Sequence, residues 1–429
     1  MYAQLRQGLP TGSIPATGIR LRGMVSRNVV NLGLTSLFTD ISSEMVSTVL
    51  PLYFVFFLKF TPFQFGMLDG LYQGGAALIR LVGGVAADRS QRYKQVAGLG
   101  YALSAVSKIG LLLGAAGGPG LLAASLFLDR TGKGIRTAPR DALISLSSER
   151  SNLGLSFAVH RALDTCGAMI GPLVGFALLA LIPNGFDVIF VASLCVALVG
   201  LGVLVLFVEN CPPSSERSVA TTPTPTVPLR VLLSLPRFKY LVLVAGALGV
   251  ATISDGFLYL TLQHRLTFAA SFLPLLYVAT SLVYFVCALP IGRVADRLGR
   301  GRVFVAGYSL LLAVYTVLLL PSLDGVALVG CILLVGAYYA ATDGVLMAFA
   351  SGMLPADVRT TGLAVLTAAT GLGTLAASVI FGGLWTIWGP ESAVAAFVGG
   401  LFLAILLTLF TLWRTRAQTQ TTTLSQARA

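Results

Sequence analysis

The sequence predicts an all-α polytopic membrane protein with twelve transmembrane helices in two pseudo-symmetric six-helix bundles. The 429 residues are 56% hydrophobic and only 11% charged, whereas soluble domains typically carry roughly 25% charged residues. The mean hydropathy of +0.86 leaves too little polar surface for a water-soluble fold. A charged turn at residues 84–94 also recurs at residues 292–302, close to half of the chain later. Together these observations predict a duplicated membrane protein.

The apolar runs predict where the spans lie. Each run is near or above the roughly 20 residues that cross about 30 Å of hydrocarbon. Because lipid offers no hydrogen-bond partners, the backbone of such a run must satisfy itself as a helix. The predicted spans cover residues 29–58, 66–88, 96–116, 119–138, 153–182, 186–208, 238–264, 270–292, 303–321, 325–351, 360–386 and 390–413.

A polar segment separates the two predicted bundles. Prolines are interspersed with Ser and Thr between residues 209 and 236, and a segment of this composition cannot bury enough apolar surface to fold. The predicted organisation is a cytoplasmic N-terminal tail at 1–28, a bundle at 29–208, a cytoplasmic linker at 209–237, a bundle at 238–413 and a cytoplasmic C-terminal tail at 414–429.

The distribution of positive charge predicts the orientation of the spans. With twelve spans, the tails and the even-numbered loops share one face, and that face carries 22 of the 29 Lys and Arg residues. The loops of the other face carry two, Lys59 and Arg265. Because Lys and Arg accumulate in cytoplasmic loops, we expect both termini to be cytoplasmic and the protein to lie in the cell inner membrane. This placement accounts for the net charge of +12 without a nucleic-acid partner.

The two halves repeat at a constant offset. Asp296 follows Asp88 by 208 residues, and Gly383 follows Gly175 by the same interval. The turn at residues 292–300 reads G-x-x-x-D-R-x-G-R, whereas the first copy has Gln91 where the second glycine is usual. Through this loop motif and the parallel six-helix repeats, the chain resembles the major facilitator superfamily of secondary transporters over nearly its full length. The resemblance implies the major facilitator fold and transport by alternating access.

Two motifs within the spans resemble those of export carriers in that superfamily. Residues 167–175 are similar to the fifth-span pattern G-x-x-x-G-P-x-x-G-G of proton-coupled antiporters, with Phe176 in place of the last glycine. Arg130 begins a match to the fourth-span pattern R-x-x-Q-G, in which Lys133 replaces glutamine. Residues 38–45 and 132–141 resemble a bacterial branch of efflux permeases of the drug:proton antiporter type.

The resemblance implies proton-coupled efflux of a small organic molecule, with protons and the lipid bilayer as the other partners. The alternative is a proton-linked uptake symporter, or an exchanger, for an organic anion or a siderophore-like metabolite. An intramembrane enzyme or a sensor would be a different class. The sequence contains no phosphate-binding G-x-x-x-x-G-K-[ST] loop and no zinc or serine-nucleophile motif. We therefore expect a monomeric carrier without enzymatic activity, cofactor or metal.

Ionisable residues inside the spans are the first candidates for function, because charge at bilayer depth is costly. Asp40 and Glu44 are four residues apart and share one face of the first span. Two carboxylates held close in a low dielectric favour the uptake of one proton. The same spacing relates Asp129 to Lys133. We predict proton coupling through a set of five residues, with a static ion-pair network between the fourth and fifth spans as the alternative: Asp40, Glu44, Arg130, His160 and Asp164.

Two further sets of residues complete the predicted site. The substrate cavity is expected to include Tyr72, Gln73, Arg80, Lys108, Lys133, Arg161, Asp255, Gln263 and Asp343. Close packing and bending of the fifth span are expected at Gly167, Gly171, Pro172 and Gly175.

The resemblance also implies a conformational latch in the repeated charged turns. Its residues are Gly84, Asp88, Arg89, Arg92, Gly292, Asp296, Arg297, Gly299 and Arg300. In such a latch, Asp88 would meet the positively polarised start of the eleventh span near Thr360. By symmetry Asp296 would meet the start of the fifth span near Asn152. These contacts would hold the cytoplasmic side shut and would break when it opens.

Overall fold

The computed structural model describes residues 25–90, 92–149, 152–210, 236–354 and 359–426, and within these ranges every regular element is a helix. A π-helix at Leu52–Phe57 follows α1, and a 3-10 helix at Ala270–Phe272 precedes α9. The α-helices are α1 (Arg27–Ser47), α2 (Pro62–Ser90), α3 (Tyr93–Leu112), α4 (Gly114–Leu146), α5 (Leu153–Leu181), α6 (Phe186–Phe207), α7 (Pro236–Val250), α8 (Asp255–Leu266), α9 (Leu273–Leu298), α10 (Arg300–Leu318), α11 (Gly325–Met353) and α12 (Arg359–Gln426).

These helices confirm the all-helical membrane fold. Among the described residues, nine helices are long and apolar enough to cross a membrane. The last of them covers two predicted spans, because α12 turns at Gly389, where φ is 85°. We call residues 359–388 the first arm of α12. The twelve predicted crossings fit this arrangement, and the count itself stays a prediction.

One predicted span is broken in the structure. The sequence predicts a continuous helix at 238–264, but the chain leaves the helical path between α7 and α8. The Ile253 N–H donates to the Tyr315 hydroxyl at 2.7 Å, and the Ser254 hydroxyl then caps the start of α8. Side-chain partners thus satisfy the backbone groups that the break exposes, which is how broken helices are tolerated at membrane depth. The break places Asp255 at the first turn of α8.

The helices form two groups that correspond to the two halves of the chain. In the first, α1 packs against α5 and α6, while α4 packs against α2 and α3. In the second, α11 packs against α9 and α10, while α7 packs against α12. The halves meet mainly where α2 packs against α12, and to a smaller extent where α5 packs against α9.

The two halves are sealed on one face of the molecule. We call the face where α1 begins the tail face and the face where α2 begins the far face. Near the far face, the ring centroid of Phe257 lies 4.7 Å from that of Phe65 and 4.9 Å from that of Phe381. A Cβ on Gly66 of α2 would stand 2.4 Å from the Ser378 carbonyl oxygen of α12. Contact at this distance means that the two backbones touch, so water from the far face is excluded.

The tail face is open by comparison. A Cβ on Gly154 of α5 or on Gly292 of α9 would meet nothing within 4 Å. A cavity of about 360 Å³ lies between α9 and α11 on this side, and Asp296 and Arg300 are among its lining residues. The described residues therefore seal the two halves together at the far face and show no such seal at the tail face.

Candidate functional site

α3 and α4 bury an ion triad in the first half. The Lys108 ammonium lies 2.9 Å from one Asp129 oxygen, and Arg130 donates to the other at 2.5 Å. All three side chains are buried, and the Arg130 guanidinium lies 3.7 Å from the centroid of the Tyr72 ring. The sequence spacing had favoured an Asp129–Lys133 pair. The structure pairs Asp129 with Lys108 instead, because packing of α3 on α4 brings those side chains face to face. Lys108, predicted to line the cavity, is therefore a buried partner of Asp129.

A second polar network joins α1, α4 and α5 nearer the tail face. Asp40 lies 3.7 Å from Arg136, and Asp164 lies 3.6 Å from Arg140. Asp164 also pairs at 3.5 Å with Arg161, whose side chain is 73% exposed. Sequence reasoning missed Arg136 and Arg140 as site residues. Their only signal was the stretch 132–141, which resembles efflux permeases but does not indicate which acids those arginines face.

Asp40 and Asp164 face each other within this network. The two carboxyl groups act on one another across the α1–α5 seam, and each approaches an arginine of α4. His160, one turn before Asp164, forms a 2.9 Å hydrogen bond between Nε2 and the Ser36 hydroxyl. The sequence pattern had grouped Asp40 with Glu44. Glu44 lines the central cavity instead, and its Oε2 accepts a 2.7 Å hydrogen bond from Ser47.

Glycines of α5 bring these acids together. A Cβ on Gly167 would stand 2.5 Å from the Leu37 carbonyl oxygen, and one on Gly171 would stand 2.7 Å from the Ile41 carbonyl oxygen. α5 stays helical through Pro172, and the Gly175 Cβ position lies 3.1 Å from a carbonyl oxygen of α1. Small residues at this spacing let helix backbones approach closely. The seam places the Asp164 side chain beside α1.

A central cavity of about 280 Å³ lies between the two halves. Residues of both predicted sets line it: Glu44 and Arg130 from the proton-coupling set, and Tyr72, Gln73, Lys133 and Asp255 from the cavity set. Lys133 forms no ion pair with a carboxylate anywhere in the described ranges. The cavity therefore offers an ammonium group on the α4 side that pairs directly with no described carboxylate, while Glu44 and Asp40 act on it from a greater distance.

The second half contributes acids to the cavity region. Asp255 accepts a 2.5 Å hydrogen bond from the Tyr339 hydroxyl and borders both the central cavity and a neighbouring one of about 220 Å³. Asp343 lines the neighbouring cavity together with Tyr284. Only the break between α7 and α8 positions Asp255 in this way, which no periodicity in the sequence indicated.

Asp69 of α2 is a lining residue that the sequence prediction omitted. Its carboxyl group is 9% exposed, borders the central cavity and accepts a 2.7 Å hydrogen bond from the Ser378 hydroxyl of α12. The available signal was one acid inside an apolar span. Its partner lies 309 residues away, so the contact could not be inferred locally.

One predicted cavity residue, Gln263, lies elsewhere. Gln263 donates from Nε2 to the Phe268 carbonyl oxygen at 3.1 Å, and so it ties the end of α8 to the following loop. Gln263 does not line the central cavity, because it lies in the last turn of α8, away from Asp255 at the start of that helix. The Arg80 side chain lies outside the described residues.

Among the described residues, no ion pair or hydrogen bond joins Asp296 of the second turn to the start of α5. Asp296 pairs with Arg300 at 3.1 Å, while Asn152 at the start of α5 donates to Glu149. Gly299 joins α9 to α10 with a φ of 97°, a conformation that favours glycine. Arg92 and Arg297 are exposed, and the side chains of the first turn at 84–89 lie outside the described residues.

Comparison with known proteins decides the family. The model of the Major Facilitator Superfamily matches residues 32–273 and 251–428. This chain belongs to the Major Facilitator Superfamily. An uncharacterised MFS-type transporter of Methanocaldococcus jannaschii is 31% identical over 399 residues, which are 89% of this chain and 95% of that protein. An uncharacterised protein of Mycobacterium tuberculosis is 28% identical over 328 residues, which are 75% of this chain and 78% of that protein.

Solved structures share the fold of this facilitator. A variant of the peptide transporter POT in complex with sulfate has a TM-score of 0.74 at 15% identity, covering 91% of this chain and 95% of that one. A variant of the nucleoside transporter NupG has a TM-score of 0.73 at 14% identity, covering 89% and 99%. The human organic anion transporter TETRAN has a TM-score of 0.63 at 14% identity, with the same coverage. The facilitator is therefore a multi-pass secondary transporter.

Proposed function

We propose that this facilitator exports a small organic molecule in exchange for protons. It would lie in a bacterial inner membrane with its tail face on the cytoplasmic side. The observation that carries the proposal is the placement of Asp40 and Asp164 at the tight α1–α5 seam, where each lies beside an arginine of α4 and the two acids act on one another. Two carboxyl groups so placed share one proton more readily than they carry two negative charges. The pair sits beside the α1–α5 seam, so movement of these helices would alter both its geometry and its hold on the proton.

The paired acids also have a route to water. Asp164 binds Arg161, whose side chain is 73% exposed, so the pair communicates with the open tail face. Arg136 and Arg140 approach from the other side and stabilise negative charge when the proton leaves. A proton bound when the tail face is closed would thus be released when it opens. The export direction rests on the resemblance of residues 167–175 to antiporters, whose glycines form the α1–α5 seam here.

Replacing Asp164 or Asp40 by Asn is expected to lower gradient-driven transport by at least about tenfold, because one carboxyl group alone no longer shares a proton. The protein would be reconstituted in vesicles with an imposed pH gradient and assayed with labelled amines, organic acids, amino acids and nucleosides. Exchange of the same solute without a gradient should persist. Asp187→Asn, at an exposed acid in the first turn of α6, is the matched control. Gradient-driven flux that survives both substitutions would contradict coupling through this pair.

Proton-linked uptake or exchange of an organic anion is the second candidate, and Lys133 favours it. The ammonium group lines the central cavity without an acidic partner among the described residues. An anionic group on a solute would supply that partner, and an ion pair in a low dielectric is strong when its geometry is good.

Lys133→Gln separates the two candidates, because it removes the charge while keeping a side chain of similar length. If the solute is an anion, we expect its counterflow to fall by about tenfold or more, since a charge-assisted contact contributes roughly 1.5–3 kcal/mol. If the solute is neutral or cationic, counterflow should be retained. The assay is uptake of labelled solute into vesicles preloaded with the unlabelled compound. Retained counterflow of an organic acid would contradict a role for Lys133 in anion binding.

A further inference from the structure

Asp69 lies where the two halves of the transporter meet. It belongs to α2, yet the Ser378 hydroxyl of α12 donates to its Oδ2 at 2.7 Å. Its Oδ1 lies 3.5 Å from where a Cβ on Gly256 would stand, in the first turn of α8. Ser254, which caps α8, is also within hydrogen-bonding reach, as is Gln73 on its own helix. The carboxyl group therefore ties the first half to two helices of the second.

The surroundings of Asp69 are closed toward the far face. The contact at Gly66 closes the preceding turn of α2. α2 and α12 also touch on the tail-face side of Asp69, where a Cβ on Gly70 would stand 2.8 Å from the Leu375 carbonyl oxygen and one on Gly74 would stand 2.8 Å from the Gly371 carbonyl oxygen. Toward the tail face, Asp69 also borders the central cavity. The carboxyl group of Asp69 thus lies between the far-face seal and the central cavity.

The described contacts of Asp69 are polar groups without positive charge. Serine hydroxyls approach from α12 and from the start of α8, and the Gln73 amide approaches from α2. The titratable groups that share the central cavity with it are the acids Glu44 of α1 and Asp255 of α8, the phenols Tyr72 of α2 and Tyr277 of α9, and the cations Arg130 and Lys133 of α4. Across the cavity, Arg130 is engaged by Asp129. An ionised carboxylate is costly in such a place, whereas a neutral carboxyl group can donate and accept hydrogen bonds at no such cost.

We infer that Asp69 is the site at which the coupling proton enters this transporter from the far side of the membrane. When α2 and α12 separate, the carboxylate takes one proton from external water onto an oxygen. The neutral group then fits between Ser378 and Ser254, so the far face closes over it. In the conformation described here the proton leaves Asp69 for water in the central cavity and passes to the Asp40–Asp164 pair, which releases it toward the tail face. The charge left behind favours reopening of the far face.

Proton entry at Asp69 rests on the proposed proton coupling and deepens it. It assigns entry to α2 and leaves release to the Asp40–Asp164 pair. Asp69 then exchanges protons with the far side and the Asp40–Asp164 pair with the tail side. The proton thus reaches the two sides of the membrane in turn, as the solute does in alternating access. Coupling arises because the far-face seal closes over a neutral Asp69 and opens over a charged one.

The test measures how far apart the two halves stand at the far face. Cysteines would replace Leu181 at the end of α5 and Ile387 at the end of the first arm of α12, both strongly exposed, with the native cysteines changed to serine. Spin labels on this pair report the closed and open populations by pulsed electron paramagnetic resonance. Lowering the pH from about 8 to about 5 should raise the closed-to-open ratio at least about threefold, since protonation removes the charge that opposes closure.

Asp69→Asn should remove this pH response and hold the closed distribution at both pH values, because asparagine is a permanently neutral near-isostere. Ser378→Ala keeps the carboxyl group but removes its donor, so the response should persist with a smaller closed fraction throughout. Asp187→Asn should behave as the unmodified protein. A response that survives Asp69→Asn, or the lack of any response in the unmodified protein, overturns the inference. Vesicle transport by Asp164→Asn, measured in parallel, would still decide separately whether the proposed proton coupling holds.

Discussion

Gly66→Ala is expected to open the far-face seal. The added methyl group would stand 2.4 Å from the Ser378 carbonyl oxygen, which is a backbone atom that cannot rotate away. Overpacking a tight contact costs typically about 1–3 kcal/mol. Because about 1.4 kcal/mol changes an equilibrium tenfold, the ratio of closed to open molecules should fall by roughly 5- to 150-fold. The conformation described here would then become a minor one.

The same pair of spin labels measures this shift. Gly66→Ala should lengthen the distance between the far-face labels at every pH, and solute counterflow should fall because the carrier no longer closes outward. Gly202→Ala is the matched control, since a Cβ at Gly202 would meet nothing within 4 Å. An unchanged distance distribution in Gly66→Ala would show that the α2–α12 seam is not the seal.

Asp129→Asn is expected to be the most destabilising single substitution in the first half. Asp129 neutralises both Lys108 and Arg130 while all three are buried. Removing one partner of a buried ion pair costs about 3–5 kcal/mol, because the remaining charge is left without compensation. Here two cations would lose their only acid in the triad. The apparent melting temperature in detergent should therefore fall steeply.

Lys108→Met tests the assignment of partners within the triad. The Arg130–Asp129 pair survives this change and the methionine fills similar volume, so the melting temperature should fall much less than in Asp129→Asn. Asp187→Asn, at an exposed acid, should leave it unchanged. Equal melting temperatures for Asp129→Asn and Lys108→Met would indicate that Asp129 does not balance both cations.

The fold was largely accessible from sequence because its determinants are local or repeated. Hydropathy marks each helix that must satisfy its backbone in lipid, and the constant offset marks the duplication. Where the prediction failed, a long-range contact had intervened. The break between α7 and α8 depends on the Tyr315 hydroxyl, which accepts from the Ile253 N–H across 62 residues. A hydropathy window contains no information about such a partner.

The site was accessible only in part for the same reason. Residue type and depth in a span pointed to Tyr72, Gln73 and Lys133 as cavity residues, and these three line the central cavity. Residue type and depth also pointed to Lys108 and Gln263 as cavity residues. Their contacts depend instead on α4, which supplies Asp129 to Lys108, and on the loop after α8, which supplies a carbonyl oxygen to Gln263. Asp69 was passed over because its significance lies entirely in its partner on α12.

The sequence by itself determined the helical membrane architecture, its duplication and the family, because apolar length and repeated turns are properties of the chain alone. Helical periodicity also determined that Asp40 and Glu44 share a face of α1. The tertiary structure alone decided that Asp40 meets Asp164 while Glu44 meets the cavity. The physical reason is that a charge inside a membrane is governed by the groups within a few ångströms of it. In this transporter those groups come from other helices.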